Sequence, residues 1–272
     1  MPFPSIIENG FQKMADFFFR CLPAKLPPEK KLDQSRLIAH RGEHDNTTTM
    51  ENTLAAFEKA EAAGVWGIEC DVQWTSDHTP VVNHDPNLQR LYGYPIDLSR
   101  ISFKELQTCC PLVPSLETVV SRFGGRVHLM IEIKKASGKI HDTTTRRRYD
   151  NLQEVLASLR PVKDFHLMTL HPQALDPVDR IPREAFAAIA YDMPKQFSDW
   201  VHHNGWGGIC GHYLLMSPSR VRAHQQHGQR VGTGYAASRN VLFREINRGV
   251  DWIFSNNAVA MQRVIHQTRK AV

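Results

Sequence analysis

Apolar and polar positions along the chain fall into two alternating rhythms. Short apolar runs bounded by turn residues recur at Ser35–Ala39, Trp66–Val72, Pro80–Asn83, Val127–Ile133, Phe165–Thr169, Ala185–Tyr191, Gly208–His212, Arg230–Gly234 and Asp251–Ser255. Runs this short, flanked this way, read as buried strands. Between them apolar residues return at helical spacing. In Glu51–Ala63 they are Leu54, Phe57 and Ala60, and Gly64 supplies the stop. Ser115 is placed to cap a helix over Leu116–Phe123. Further helices are expected over Leu98–Leu106, Asn151–Leu159, Ala174–Asp179, Lys195–Asn204, Ser219–His227, Arg239–Arg248 and after the last strand. Strand–helix alternation argues for parallel βαβ units, and seven or eight of them in this length fit a closed (β/α)8 barrel, a TIM barrel, better than an open sheet. No fixed repeat period and no glycine-rich phosphate loop is present, which disfavours a nucleotide-binding sheet.

The first 34 residues read as an extension, and 35–272 as one barrel domain. Ile6–Leu22 is amphipathic through Ile6, Ile7, Phe11, Met14, Phe17, Phe18 and Leu22, and the proline-rich Pro23–Glu29 reads as a linker. The helix is expected to pack on the barrel base. The rival reading lays it on a membrane surface, but its polar side is not strongly basic. No signal-peptide pattern and no apolar run of membrane-spanning length is seen.

Composition narrows the partners. The 272 residues carry a formal charge of +5 and an ordinary apolar share of 42%, enough for a sizeable core. The basic residues are scattered, and the dense run Arg146–Arg148 reads as a solvated face, so the excess permits an anionic substrate without calling for nucleic acid. Cys21, Cys70, Cys109, Cys110 and Cys210 are odd in number and lack a C-x-x-C pair. That is neither a disulfide framework nor a zinc site, and a reducing, cytoplasmic compartment is expected.

The candidate chemistry sits where a barrel places its working residues, at the C-terminal strand ends. His40 and Arg41 end the first expected strand, Glu69 and Asp71 the second, His84 follows the third, and Glu132 and Lys134 end the fourth. Residues at i and i+2 share a strand face, so three carboxylates converge on the mouth. Their repulsion calls for a hard divalent cation, and oxygen-only ligands select Ca²⁺ or Mg²⁺ over zinc. The set suits phosphodiester cleavage. Arg41 and Lys134 add positive charge at the phosphate, one imidazole takes a proton from the nucleophile, and the other gives one to the leaving oxygen.

The segments IAHRG, MENTLAAFEKA, GIECDV, TSD, VVNHD, VPSLETV and MIEIKK resemble, in order and spacing, the glycerophosphodiester phosphodiesterase family. The match is dense over Leu37–Lys135 and thinner in HGQRVGTG and INRGVDWIFSN. The resemblance implies a TIM barrel, a divalent metal and hydrolysis of glycerophosphodiesters to sn-glycerol 3-phosphate and an alcohol. By position it makes Glu69, Asp71 and Glu132 metal ligands, His40 and His84 the acid/base pair, and Arg41 and Lys134 phosphate contacts. Glu51 falls on an acidic family position that orients Arg41 or touches the metal, with Asn52 as a candidate helix cap. The resemblance also suggests a cyclic phosphate intermediate, formed by the glycerol 2-hydroxyl.

This chain departs from the family at Met50, His78, Gly234, Tyr235, Ala237 and Asn256. These positions are expected to alter the pocket wall, and hence the preferred alcohol, without touching metal or imidazoles. His166, His171 and His212 are expected to be structural or solvent-facing. Two rivals stay open: a lysophospholipase D acting on lysolipids, and a barrel that binds polyol phosphates without catalysis.

Overall fold

The computed structural model describes residues 17–135, 142–191 and 193–271. Its strands are β1 (Leu37–Ala39), β2 (Gly67–Trp74), β3 (Pro80–Val82), β4 (His128–Ile133), β5 (Phe165–Thr169), β6 (Phe186–Ala190), β7 (Gly208–His212), β8 (Arg230–Gly234) and β9 (Trp252–Ser255). The helices are α1 (Glu29–Gln34), α2 (Leu54–Ala62), α3 (Gln89–Tyr92), α4 (Phe103–Cys109), α5 (Leu116–Phe123), α6 (Thr143–Leu156), α7 (Pro194–Asn204), α8 (Pro218–Gln226), α9 (Arg239–Arg248) and α10 (Ala258–Ala271). All strands but β3 run parallel, and β1 pairs with both β9 and β2, which closes the expected (β/α)8 barrel.

The third apolar run is not a stave. β3 folds back antiparallel on β2, with Val72 opposite Val82 and Trp74 opposite Pro80. The connection Thr75–Thr79 is too short for a parallel crossover, which takes about a dozen residues. His84 therefore reaches the mouth on a return strand, while the remaining candidates come from three adjoining staves, β1, β2 and β4. His78, one of the departures from the family pattern, takes the left-handed region at φ 65° within the Thr75–Thr79 connection.

Burial divides each strand between two cores. Outward side chains such as Cys70, Leu129 and Ile131 join the helices, where Phe57 of α2 meets Phe123 of α5 edge to face at 5.8 Å. Inward ones, Ile38, Met130, Met168, Ala187, Cys210, Trp252 and Phe254, fill the barrel. A third cluster of Val81, Leu88, Leu98, Leu106, Cys110 and Val113 holds the excursion after β3 against the mouth. In that excursion the expected Leu98–Leu106 helix breaks. A single 3₁₀ turn covers Leu98–Arg100, and α4 starts anew because Ser102 and Glu105 form a capping box. The expected Ala174–Asp179 helix is a 3₁₀ turn at Pro172–Leu175, and α6 begins well ahead of Asn151.

Most of the expected Ile6–Leu22 helix lies outside the described residues. Its described end, residues 17–21, does not sit on the barrel base. Phe19 packs against Tyr213, just after β7, with ring centroids 5.7 Å apart, and Asn240 at the start of α9 bonds the Arg20 carbonyl at 2.7 Å. Both partners follow C-terminal strand ends, so this segment docks on the mouth side. The linker then leads into α1, whose Leu32 is fully buried. Among the described residues no helix is long and apolar enough to cross a membrane.

The barrel floor carries a fixed imidazole pair. His128 Nδ1 donates to the Lys163 carbonyl at 3.0 Å, so its Nε2 accepts from His166 Nδ1 at 2.8 Å. Burial pushes His128 down to about 4 and His166 to about 2, with Arg36 and Arg230 adding repulsion to both. Both rings stay neutral in the fold, whereas in the unfolded chain each takes a proton below about 6.5. Stability is therefore complete above that value and lost as pH falls below it. The melting temperature should drop from pH 7 to pH 5, and the drop should be shallower in His166→Met. An equal pH dependence in that variant would contradict the assignment.

Candidate active site

The site begins where β1 ends. Arg41 takes φ 57° and Gly42 φ 78°, so the chain turns sharply over the mouth. A Cβ on Gly42 would meet Ala56 at 2.8 Å, which leaves room for glycine alone. The turn aims the Arg41 backbone N–H at Glu69 Oε2, 2.9 Å away, and its guanidinium at Asp71 Oδ2, 3.2 Å, and Glu51 Oε1, 2.9 Å. On β2, Glu69 and Asp71 face inward while Cys70 faces the helices. The β2–β4 register sets Asp71 level with Glu132. Lys134 Nζ reaches over to Asp71 Oδ1 at 2.7 Å and Glu132 Oε1 at 2.5 Å.

The structure thus brings Glu69, Asp71 and Glu132 together, each buried, with one oxygen of each within 4.8 Å of the others. Among the described residues Arg41 and Lys134 are the cations in contact with them, and two cations cannot neutralise three ionised carboxylates. Burial raises Glu69 well above the carboxylate range, with Asp71 and Glu132 adding repulsion; burial and Asp71 push Glu132 up to about 7. Asp71 is also buried, yet Lys134 and Arg41 hold it below its ordinary value. Buried Glu69 Oε1 has no hydrogen-bond partner. An orphaned carboxyl oxygen in a trio that resists full ionisation until further positive charge arrives fits a hard divalent cation.

Both imidazoles line the same cavity, of about 540 Å³. His40 Nδ1 donates to Asn256 Oδ1 at 2.6 Å, and the Tyr235 hydroxyl lies 3.3 Å from its Nε2. Burial, then Arg41, lowers His40 to about 3. His84 Nδ1 donates to Asp85 Oδ1 at 2.7 Å. Burial lowers His84 as well, against the pull of Asp71 and Asp85. The polar wall comprises His40, Arg41, Glu69, His84, Glu132 and Lys134, and the facing wall is largely apolar, with Met168, Leu170, Ile189, Leu214, Leu215 and Phe254.

Two expectations change. Tyr235 and Asn256, expected to vary only the pocket wall, are the groups that touch His40. Asn52 is not the cap of α2. Thr53 caps it by accepting from Ala56 N, while Asn52 bonds Asp71 through both ends of its amide, Nδ2 to Oδ2 at 2.7 Å and Oδ1 to the backbone N at 3.2 Å. Glu51 stands outside the carboxylate trio and orients Arg41, and it also accepts from Arg90 Nη2 at 2.6 Å. Arg90 escaped the sequence reading because it lies on the one-turn α3, which carries no apolar rhythm. His212 lines the cavity, whereas His166 belongs to the floor.

The family model described as the glycerophosphoryl diester phosphodiesterase family matches residues 40–260. Glycerophosphodiester phosphodiesterase 1 of Bos taurus is 34% identical over 250 residues, covering 77% of this chain and 73% of that protein. The Rattus norvegicus protein of the same name is 33% identical over 115 residues, covering 40% of this chain, and Lysophospholipase D GDPD1 of that organism is 37% identical over 98 residues, covering 36%. The alignments span about a third of the length of these two rat proteins (34% and 31%). A Thermotoga maritima glycerophosphodiester phosphodiesterase superposes with TM-score 0.70 at 21% identity over 85% of this chain and 98% of its own. An Oleispira antarctica phosphodiesterase in complex with the product sn-glycerol-3-phosphate does so with TM-score 0.70 at 22% identity over 85% and 96%. At such identities the superpositions speak for the fold.

Ca²⁺ or Mg²⁺ should raise the melting temperature of the wild type, and Glu69→Gln and Glu132→Gln should abolish the rise. At a hundredfold excess over Kd the gain is about 2.7 kcal/mol. Absence of any shift with either ion would remove the metal.

Proposed function

The chain belongs to the glycerophosphoryl diester phosphodiesterase family, and from that premise we propose that it hydrolyses glycerophosphodiesters to sn-glycerol 3-phosphate and an alcohol. The observation that carries this reading is that Glu69, Glu132, two cations and two imidazoles line one cavity at the barrel mouth, with buried Asp71 grouped with the two glutamates. Glu69, Asp71 and Glu132 would hold a divalent ion, Mg²⁺ or Ca²⁺, which when bound draws charge from the non-bridging phosphate oxygens. Arg41 and Lys134 bring further positive charge to the same group, and Glu51 fixes the Arg41 fork.

The two imidazoles divide the proton work by their partners. Asn256 is neutral and holds the His40 proton on Nδ1, so Nε2 is the accepting nitrogen; it takes the Tyr235 hydroxyl at 3.3 Å, and an attacking hydroxyl would displace that long bond to give up its proton there. Asp85 is anionic and opposes the lowering of His84 by burial, so a proton taken up on this ring is steadied by a carboxylate, which suits its delivery to the departing alkoxide. With the glycerol 2-hydroxyl as nucleophile the first step gives a cyclic phosphate and the free alcohol, and water then opens the ring with the proton roles reversed.

A second reading, a lysophospholipase D, is favoured by the apolar wall of Leu170, Ile189, Leu214 and Leu215, which would accept an aliphatic chain on the lipid. Exposed Phe17 and Phe18, on the segment whose Phe19 packs beside Leu214, support contact with a lipid surface. The five cysteines are free, which supports a reducing compartment such as the cytoplasm.

With saturating Mg²⁺ or Ca²⁺, glycerophosphocholine should release glycerol 3-phosphate. His40→Ala and His84→Ala should each lose about a hundredfold or more in kcat while staying folded. Cleavage of lysophosphatidylcholine alone would select the second reading. No cleavage of either diester by the wild type with either ion would leave a binding barrel.

A further inference from the structure

We propose that Arg90 is a positioning residue for catalysis, setting the orientation of the His84 imidazole through Asp85. The proposal rests on the reading of His84 as a proton-transfer group. Arg90 Nε donates to Asp85 Oδ2 at 2.6 Å, and Nη2 donates to Glu51 Oε1 at 2.6 Å. The other Asp85 oxygen takes the His84 Nδ1 proton, and the same Glu51 oxygen takes Arg41 Nη1 at 2.9 Å. One guanidinium thus joins the two parts of the site, the return strand that carries His84 and the β1 turn that carries Arg41. Arg90 does not line the cavity. Its effect on the reaction must pass through its partners.

The surrounding bonds separate orientation from folding. The backbone at His84 and Asp85 is pinned independently, by Gln73 Nε2 on the His84 carbonyl at 3.0 Å and Asn83 Nδ2 on the Asp85 carbonyl at 2.7 Å. The turn that bears Arg90 is anchored by fully buried Leu88 and ended by Gly93 in the left-handed region. The Arg90 side chain is itself 45% exposed. Losing the guanidinium therefore leaves the chain path in place and frees the Asp85 carboxylate to turn, and with it the imidazole. A planar fork meets two carboxylates at once, whereas a lysine ammonium meets them only as a point charge.

The test is a mutant cycle on glycerophosphocholine with saturating divalent ion, over wild type, Arg90→Ala, Arg90→Lys, Asp85→Asn and the double variant Asp85→Asn/Arg90→Ala. Arg90→Ala should lower kcat by roughly 10- to 100-fold with KM within about twofold, since no substrate contact is lost. Arg90→Lys should recover part of the loss. The double variant should be no slower than Asp85→Asn, because Glu51 keeps its bonds with Arg41 and Asn46 without Arg90, so that both changes break the one path through Asp85. In ¹⁵N-histidine spectra, His84 should lose its single Nδ1–H tautomer in Arg90→Ala and regain it in Arg90→Lys. An unchanged kcat in Arg90→Ala, or fold losses that multiply in the double variant, overturns the proposal. Should Arg90→Ala fold poorly, Arg90→Gln is read by the same criteria. His84→Ala separates the two readings: full activity there removes the role of His84 itself, whereas an inactive His84→Ala beside multiplying losses removes only Arg90.

Discussion

Everything at the mouth depends on three carboxylates buried together with too little positive charge. Glu69, Asp71 and Glu132 lie where water cannot screen them, and Arg41 and Lys134 offset only part of their repulsion. An arrangement of that kind costs stability wherever it stands alone, because buried charge is expensive unless paired. The barrel sustains it by strand register, which holds β2 and β4 level at Asp71 and Glu132, and by a shell of amide and guanidinium donors. Asn52 clamps Asp71 through its amide, Arg41 serves Glu69 by its backbone and Asp71 by its side chain, and Glu51 holds the Arg41 guanidinium. On the proposed function, a divalent cation and a phosphate are the missing partners.

The same charge pattern gives the two imidazoles different company. His40 sits among neutral donors and acceptors, Asn256 and Tyr235, and is held neutral by burial. His84 faces an aspartate that is in turn paired with Arg90. The proposed proton transfer in opposite directions needs such asymmetry, and an amide on one flank and a carboxylate on the other would supply it.

Much of this was legible in the chain itself, and the failures have physical causes. Period-two alternation at Glu69 and Asp71, and at Glu132 and Lys134, was enough to put those side chains inside the barrel, because a strand offers only two faces. The eight-stave closure followed from repeated βαβ units. Pro80–Asn83 reads as one more strand of the series because an apolar run says nothing of direction; the brevity of Thr75–Thr79 holds that information. Asn52 looked like a cap by residue type, but its φ of 58° turns it toward Asp71 and passes the cap to Thr53. Tyr235 and Asn256 could not be assigned to His40 from spacing, because about 200 residues of barrel must close before β8 and β9 meet β1. Contacts across that closure are invisible to any local pattern.

The central claim is that the carboxylate trio shares a single cation. Crystals soaked in Mn²⁺, which accepts the same oxygen ligands, and measured at its absorption edge test it directly. The account predicts one strong anomalous peak within about 2.0–2.6 Å of oxygens from Glu69, Asp71 and Glu132 together. A mouth without a peak, or a peak bound by other residues with the trio left apart, would contradict it.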